Sequence, residues 1–384
     1  MSELNGTVAA AFEPVREAVE EQLASGAEVG LSLAVDVDGD QVVDLWGGHR
    51  DAARAHPWQR DTITNVWSLT KTVTSLAALV LVDSGELDVH APVARYWPEF
   101  AANGKQHIEV RHLLSHTSGV SGLDHPAQLQ DLYDVRAAAA RMAAQAPWWE
   151  AGSASGYHVL NYGHLIGELV HRLCGLSLRD FVDQRLAGPL GADFQIGVRE
   201  ADLARVADII MPTIDLDPSR LDHDSVAYRT LTGPPLEASA ANTPAWRAAD
   251  LGAANGHANA RSMGQILAAV SRGGVTPHGQ LLAPETIDLV FAEQSNGTDL
   301  VSGRHVRWGI GYALPEPRTL PWIPQGRIAF WGGWGGSMAI MDLDRRVTIT
   351  YVMNNMGADI LGSPRAEAYT RAIYQALGLD RLEG

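Results

Sequence analysis

The sequence predicts an α+β fold: one antiparallel sheet built from both chain ends, with flanking helices and an inserted, mostly helical lobe. Three observations lead there. Strand-like alternation is confined to Val29–Trp46 and to the stretch from Ile328 to Met353. The intervening Pro92–Ala254 carries Ala-rich and Leu-rich runs at helical spacing, and a helical pattern stands at each end. Separation in sequence does not prevent pairing, so a single sheet is the economical arrangement. A chain of 384 residues, 46% of them hydrophobic, can bury a large core. We expect one catalytic domain over 1–384, with an α/β lobe of about 1–91 and 255–384 and a helical lobe of about 92–254.

The elements follow in order. The first 24 residues carry Glu3, Glu13, Glu17, Glu20 and Glu21 without a basic or continuous apolar segment, and read as a helix rather than a signal peptide. Val29–Trp46 alternates around Asp38-Gly39-Asp40, the pattern of a hairpin with a tight turn. From Leu69 the spacing is helical, with Val73, Leu76, Ala77 and Val80 on one face and Gly85 placed to end it. Asn161–Leu173 and Leu178–Leu186 are helical stretches of the middle region. Ile328–Trp331, Ser337–Leu343 and Val347–Met353 read as strands, the last two joined at Asp344-Arg345, before a helix at about Pro364–Leu377. The longest apolar run, around Leu76 to Val82, is far short of the roughly 20 residues of a membrane span. Cys174, the single cysteine, lies in an apolar helical pattern and reads as core, so nothing calls for an oxidising compartment. The default location is cytoplasmic.

Charge narrows the partners. With 29 Lys plus Arg against 45 Asp plus Glu, the net charge is -16 and no basic patch is evident, which excludes a nucleic acid or an anionic membrane surface as partner. Of those 29 cations 27 are Arg, leaving Lys71 and Lys105 as the lysines. Lysine, unlike arginine, can lose its proton inside a protein. Lys71 closes Ser68-Leu69-Thr70-Lys71 at the start of the apolar helix. Positions i and i+3 share a helix face, so the Ser68 hydroxyl and the Lys71 amine can meet. Burial disfavours the ammonium and yields an amine able to take the serine proton, while the helix N-terminus favours a developing oxyanion. The plainer alternative is that Ser68 only caps the helix. Lys105 has no such neighbour and reads as a solvated surface charge.

Four further stretches stand in order along the chain. They are Gly85-Glu-Leu-Asp-Val-His-Ala-Pro-Val-Ala-Arg-Tyr-Trp97 with Val110-Arg-His-Leu-Leu-Ser-His-Thr-Ser-Gly119, then Ser155-Gly-Tyr-His-Val-Leu-Asn-Tyr-Gly-His-Leu-Ile-Gly-Glu-Leu169, then Phe330-Trp-Gly-Gly-Trp-Gly-Gly-Ser337. Together with Asn65-Val-Trp-Ser-Leu-Thr-Lys71 they resemble the serine β-lactamase and penicillin-binding protein superfamily, most closely the family VIII carboxylesterases, which are esterases on a class C β-lactamase fold. The resemblance covers most of the chain and implies a β-lactamase-like fold. It implies Ser68, Lys71 and Tyr157 as catalytic residues, the backbone N–H groups of Ser68 and Trp334 as oxyanion hole, and Trp331, Gly332 and Gly333 as substrate-binding residues. The family's phenol shares a proton with serine and lysine. This chain departs from the β-lactamase pattern twice. Val159 stands where those enzymes carry Asn, and Trp331 where they carry the lysine that helps to bind a carboxylate. Both departures favour a neutral ester, unless Arg304, Arg307 or Arg327 restores a cation.

Competing signals are weaker. Gly-x-Ser-x-Gly does not occur, which argues against the α/β-hydrolase nucleophile elbow. His107, His112 and His116 suggest a metal cluster, but His-Glu-x-x-His and a Cys partner are missing, so we expect no metal. In the superfamily, His116 belongs to a stretch that shapes the loop beside the site. Trp148-Trp149 precedes Tyr157 closely enough to be a candidate wall of an apolar cleft. The expectation is therefore a serine hydrolase cleaving short-chain or apolar acyl esters through an acyl-enzyme on Ser68, with a small-molecule ester as partner and no cofactor. The alternatives with the same site are a β-lactamase, a D-amino-acid peptidase or amidase, and an acyltransferase. A non-catalytic binding module is the alternative from another class.

Overall fold

The computed structural model describes residues 4–212, 218–359 and 361–379. Its main sheet has nine strands, all antiparallel, in the order Leu4–Val8, Asp40–Gly48, Gly30–Val37, Val347–Met353, Met338–Asp342, Ile328–Gly332, Ala313–Leu314, His305–Trp308 and Ser295–Thr298. The two chain ends meet at its centre, where Ile349 faces Val35 and Tyr351 faces Leu33. Asp38 and Gly39 turn the first hairpin with φ of 52° and 100°, the paired positive values of a tight primed turn.

All seven residues of Val347–Met353 are buried, because helices cover both faces of the sheet. Side chains alternate across a strand, and the two faces show it. Thr348 and Thr350 point to the helix Ala260–Ser271, bonding to Ser271 Oγ at 2.7 Å and to the Ala260 carbonyl at 2.7 Å. Tyr351 points the other way, packing edge-on against Tyr369 of the helix Pro364–Ala376, which in turn lies beside the helix Glu13–Ser25.

The N-terminal expectation needs correction. Leu4–Val8 is an edge strand and the helix starts at Glu13, with Pro14 in its first turn, where the missing N–H costs nothing. Gly6 lets that strand approach, since a Cβ there would fall 1.8 Å from the Asp44 carbonyl oxygen. The three strands between Ser295 and Leu314 also went unread, being short and mixed in Asn, Arg, His and Gly.

No strand of the main sheet comes from the middle of the chain. That region holds the helices Val110–Leu114, Val135–Ala144, Tyr162–Cys174, Leu178–Val182, Val226–Thr232 and Pro244–Ala248 with irregular connections. It also supplies two short strands, Phe194–Ile196 and Val206–Ala207, to a second sheet with Ile63–Asn65 and Gly256–Ala258. This small sheet positions the site: Val66 N–H bonds to the Gly256 carbonyl at 2.8 Å, and Gly256 N–H to Thr70 Oγ1 at 2.8 Å. Cys174 is half-buried against the core.

Lys105 also needs correction. It is fully buried, its Nζ donating to the carbonyls of Ala102, at 2.8 Å, and Gln145, with the Phe100 ring 5.3 Å away. Burial lowers its pKa to about 8, against the opposing pull of Asp124.

Candidate active site

Ser68 stands just before the helix Thr70–Asp83, on a tightly wound turn. Leu69, Thr70 and Lys71 N–H bond to the carbonyls of Val66, Trp67 and Ser68, the last at 3.0 Å, an i to i+3 winding that sets Lys71 above Ser68. Trp67, immediately before, has φ of 50°, an uncommon conformation for a bulky residue and one that surrounding structure must hold. The Trp67 ring is held between Trp246 and Trp334, with centroids 5.6 and 5.1 Å away.

Lys71 is 2% exposed, and its Nζ has three partners: Ser68 Oγ at 3.1 Å, the Val159 carbonyl at 2.8 Å and the Ala253 carbonyl at 2.9 Å. Burial holds its pKa well below the ordinary lysine value. A neutral amine has two hydrogens and one lone pair. In that form the two carbonyls would take the hydrogens and the lone pair would face the Ser68 hydroxyl proton.

Tyr157 lies across the same amine, its ring centroid 4.8 Å from Lys71 Nζ. Burial raises its pKa, while hydrogen bonding with Ser68 and Trp331 acts the other way. His116 clasps it from both sides: the His116 carbonyl accepts from Gly156 N–H at 2.8 Å, and Nδ1 accepts from His158 N–H at 3.1 Å. His116 adopts φ of 60° to do so, and burial keeps its ring neutral, with His158 and Lys71 adding to the effect. Since Nδ1 is an acceptor, the proton is assigned to Nε2. The clasp accounts physically for the Ser-His-Thr-Ser-Gly stretch.

Of the expected substrate contacts, Trp331 stands behind the phenol, its indole N–H donating to Tyr157 Oη at 3.0 Å, with the ring against Trp308 at 4.5 Å. Gly332 and Gly333 are both buried. A Cβ on Gly333 would lie 2.5 Å from the Val66 carbonyl oxygen and 3.5 Å from Trp67 Cβ, so this strand end rests directly on the turn that carries Ser68. Among the described residues, neither Ser68 N–H nor Trp334 N–H meets a protein acceptor, and both residues line one cavity of about 310 Å³. Its walls are apolar: Trp67, Val159 and Leu160 near the reacting groups, then Pro218, Leu221 and Leu236 farther along. The described lining contains no Arg, Lys, Asp or Glu.

Several expected neighbours are elsewhere. Arg307 pairs with Glu293 and Arg327 with Asp288, and neither they nor Arg304 reach the cavity. Trp148 bonds to Asp124 and Trp149 to the Ala154 carbonyl, outside the wall. His107, His112 and His116 form no metal-binding group among the described residues; His112 Nδ1 accepts from Glu109 N–H at a helix start instead.

Sequence reasoning missed Asp299, which is fully buried. Its Oδ1 accepts from the N–H groups of Tyr157 at 3.2 Å, Val301 at 3.0 Å and Ser302 at 2.9 Å, tying the phenol's segment to the cavity wall. Asp-Leu-Val-Ser-Gly is a readable turn signal, but its contact with Tyr157, 142 positions away, is not readable.

Comparison with known proteins agrees with this geometry. The profile of the Beta-lactamase family matches residues 15–371. The chain belongs to the beta-lactamase family. It is similar to the esterase/beta-lactamase LipL of Mycobacterium tuberculosis, with 34% identity over 342 residues, 85% of this chain and 77% of LipL. The crystal structure of a family VIII carboxylesterase superposes with a TM-score of 0.91 at 36% identity, covering 97% of this chain and 100% of that one. A penicillin-binding protein homologue from Caulobacter crescentus superposes with a TM-score of 0.90 at 35% identity, covering 97% and 100%. This member of the family is thus a hydrolase of the β-lactamase and esterase superfamily with an α+β, β-lactamase-like fold. No helix among the described residues is long and apolar enough to cross a membrane.

Proposed function

We propose that the protein is a serine carboxylesterase that cleaves neutral esters with apolar acyl groups through an acyl-enzyme on Ser68. The observation that carries this reading is the buried Lys71 amine, 3.1 Å from Ser68 Oγ and with its two other contacts spent on carbonyls, at the edge of a cavity whose described lining bears no charged side chain. A β-lactam carries a carboxylate, and that lining offers it no cation. The kinship to an esterase and to a family VIII carboxylesterase supports the same choice.

In the proposed reaction the Ser68 proton passes to Lys71 Nζ as Oγ attacks the ester carbon. The carbonyl π electrons move onto oxygen, where the N–H groups of Ser68 and Trp334 hold them. The intermediate collapses by breaking the bond to the alcohol oxygen, which takes the Tyr157 phenolic proton, and the Lys71 ammonium returns a proton to the phenolate. Water then repeats the sequence on the acyl-enzyme, with Ser68 as leaving group. Burial favours the uncharged form of both groups, lowering the pKa of the amine and raising that of the phenol.

The test is turnover of a butyrate nitrophenyl ester, a D-alanyl amide and a chromogenic cephalosporin, with mass spectrometry of the trapped protein. We expect preference for the butyrate and an acyl adduct on Ser68 that Ser68→Ala abolishes. Full activity of Ser68→Ala, or preference for the cephalosporin, would sink the reading.

A further inference from the structure

Trp334 sits in a run of glycines, and glycine backbones have no preference of their own to hold an N–H in one direction. Gly335 and Gly336 have φ of 94° and 128°, so these two residues cannot be stiffened by side chains of their own. Something outside must fix it, and the hydrogen bonds name the group. Gly336 N–H donates to the Gly333 carbonyl at 3.0 Å, and the Gly335 carbonyl accepts from Arg365 Nη2 at 2.9 Å and from Gly357 N–H at 2.7 Å.

The peptide planes connect these bonds. Gly335 C=O and Gly336 N–H belong to one planar peptide unit, and Gly333 C=O and Trp334 N–H to another. The guanidinium of Arg365 therefore grips one end of a two-peptide chain whose far end is the Trp334 N–H. Hydrogen bonds in such a chain polarise one another, and a cation at the acceptor end strengthens the donor at the other.

Arg365 is built for a fixed position. It is 6% exposed, in the first turn of the helix Pro364–Ala376, and its other bonds run to the carbonyls of Asn355 and Ala27 and to Glu28 Oε2, each at 2.9 Å. Glu28 is 1% exposed and accepts from Tyr351 and, at 3.1 Å, from Tyr369 on its other oxygen.

We propose that Arg365, anchored by Glu28, is a positioning residue for the oxyanion hole, acting on the Trp334 N–H through the Gly335–Gly336 and Gly333–Trp334 peptides. The proposal rests on the esterase reading above and adds a residue to it. A mere brace for the fold would move stability alone, whereas this role moves affinity for the tetrahedral state.

The experiment measures kcat, KM, the urea unfolding midpoint and inhibition by an alkyl trifluoromethyl ketone. Ser68 Oγ adds to that ketone as its proton passes to Lys71 Nζ, which gives an adduct whose former carbonyl oxygen carries the charge. Arg365→Lys should lower kcat about 10- to 100-fold, below the full loss of one oxyanion donor. It should weaken ketone binding by the same factor and leave KM within about twofold. Tyr369→Phe, which touches Glu28 and not the peptide chain, should lower the midpoint and leave kcat and ketone affinity unchanged. If Arg365→Lys fails to fold, Glu28→Gln, which keeps the side-chain shape, should show the same paired loss at about 3- to 10-fold. Unchanged kcat and ketone affinity in whichever of Arg365→Lys and Glu28→Gln folds, or equal losses in Tyr369→Phe, would overturn the proposal. Failure of the esterase reading is seen separately in the wild type, as no Ser68 adduct and no ketone inhibition, and the proposal then falls with it.

Discussion

Replacing Trp331 by phenylalanine removes one hydrogen bond from the Tyr157 phenol while keeping an aromatic ring beside Trp308. The indole N–H to phenol distance is 3.0 Å in a buried site, and a neutral bond of this kind contributes about 0.5–1.5 kcal/mol net. Tyr157 is called on to give up its proton and carry charge in the transition state, where the bond roughly doubles in strength, so a gain of about the same size is felt there. The expected loss in kcat/KM is about 2- to 12-fold. The smaller ring also leaves a void, which lowers stability on the order of 1–2 kcal/mol. The assay is kcat/KM on nitrophenyl esters from acetate to octanoate, with urea unfolding alongside. A residue behind the phenol loses the same factor for every chain length. A residue that touches substrate loses a factor that grows with the chain. Unchanged kcat/KM, or a KM that climbs with acyl length, would refute the placement of Trp331 as the phenol's support.

Three other outcomes follow from the structure. Because burial depresses Lys71 and raises Tyr157, kcat/KM should rise with pH as Lys71 loses its proton and then stay level to about pH 10; Lys71→Arg, which keeps its proton throughout, should lose that rise and fall about 10²- to 10⁴-fold. Gly333→Ala places a Cβ 2.5 Å from the Val66 carbonyl oxygen and pushes the strand end off Ser68, so kcat should drop about 10²- to 10³-fold with the protein still folded by circular dichroism. Lys105 has a folded pKa of about 8 against an ordinary 10.5, so the unfolded chain binds more protons between these values and stability rises with pH across that window. Urea unfolding at pH 8 and pH 10.5 should show a smaller rise in Lys105→Met than in the wild type, the remainder coming from Lys71, whose pKa burial also lowers.

What the sequence made legible was local chemistry. The i to i+3 relation of Ser68 and Lys71, the primed turn at Asp38-Gly39 and the strands from Ile328 to Met353 each depend on spacing within a few residues. The edge strand Leu4–Val8 was hidden because its partner, Asp40–Gly48, supplies the reason for it to be a strand. Lys105 misled because a lysine's charge argues for solvent, and only the fold brings the Gln145 carbonyl to its Nζ. Trp331 was expected to meet the substrate, but which way an indole faces on a strand end depends on Tyr157 and Trp308, and Tyr157 is distant in sequence. The small sheet that seats the nucleophile turn draws its four strands from positions 63 to 258, a juxtaposition beyond any local pattern.

The cavity's walls have a division of origin with a practical reach. Pro218, Leu221, Thr230, Leu231, Pro234 and Leu236 all come from one short stretch, whereas Ser68, Tyr157 and Trp334 come from three others. Part of the wall thus lies on a length of chain apart from the reacting groups, while Trp67, Val159 and Leu160 adjoin those groups in sequence. Changes confined to 218–236 reshape that part of the cavity while the proton-handling groups stay as they are, so on the proposed esterase reading a small recombination library of that stretch is the economical route to new substrates.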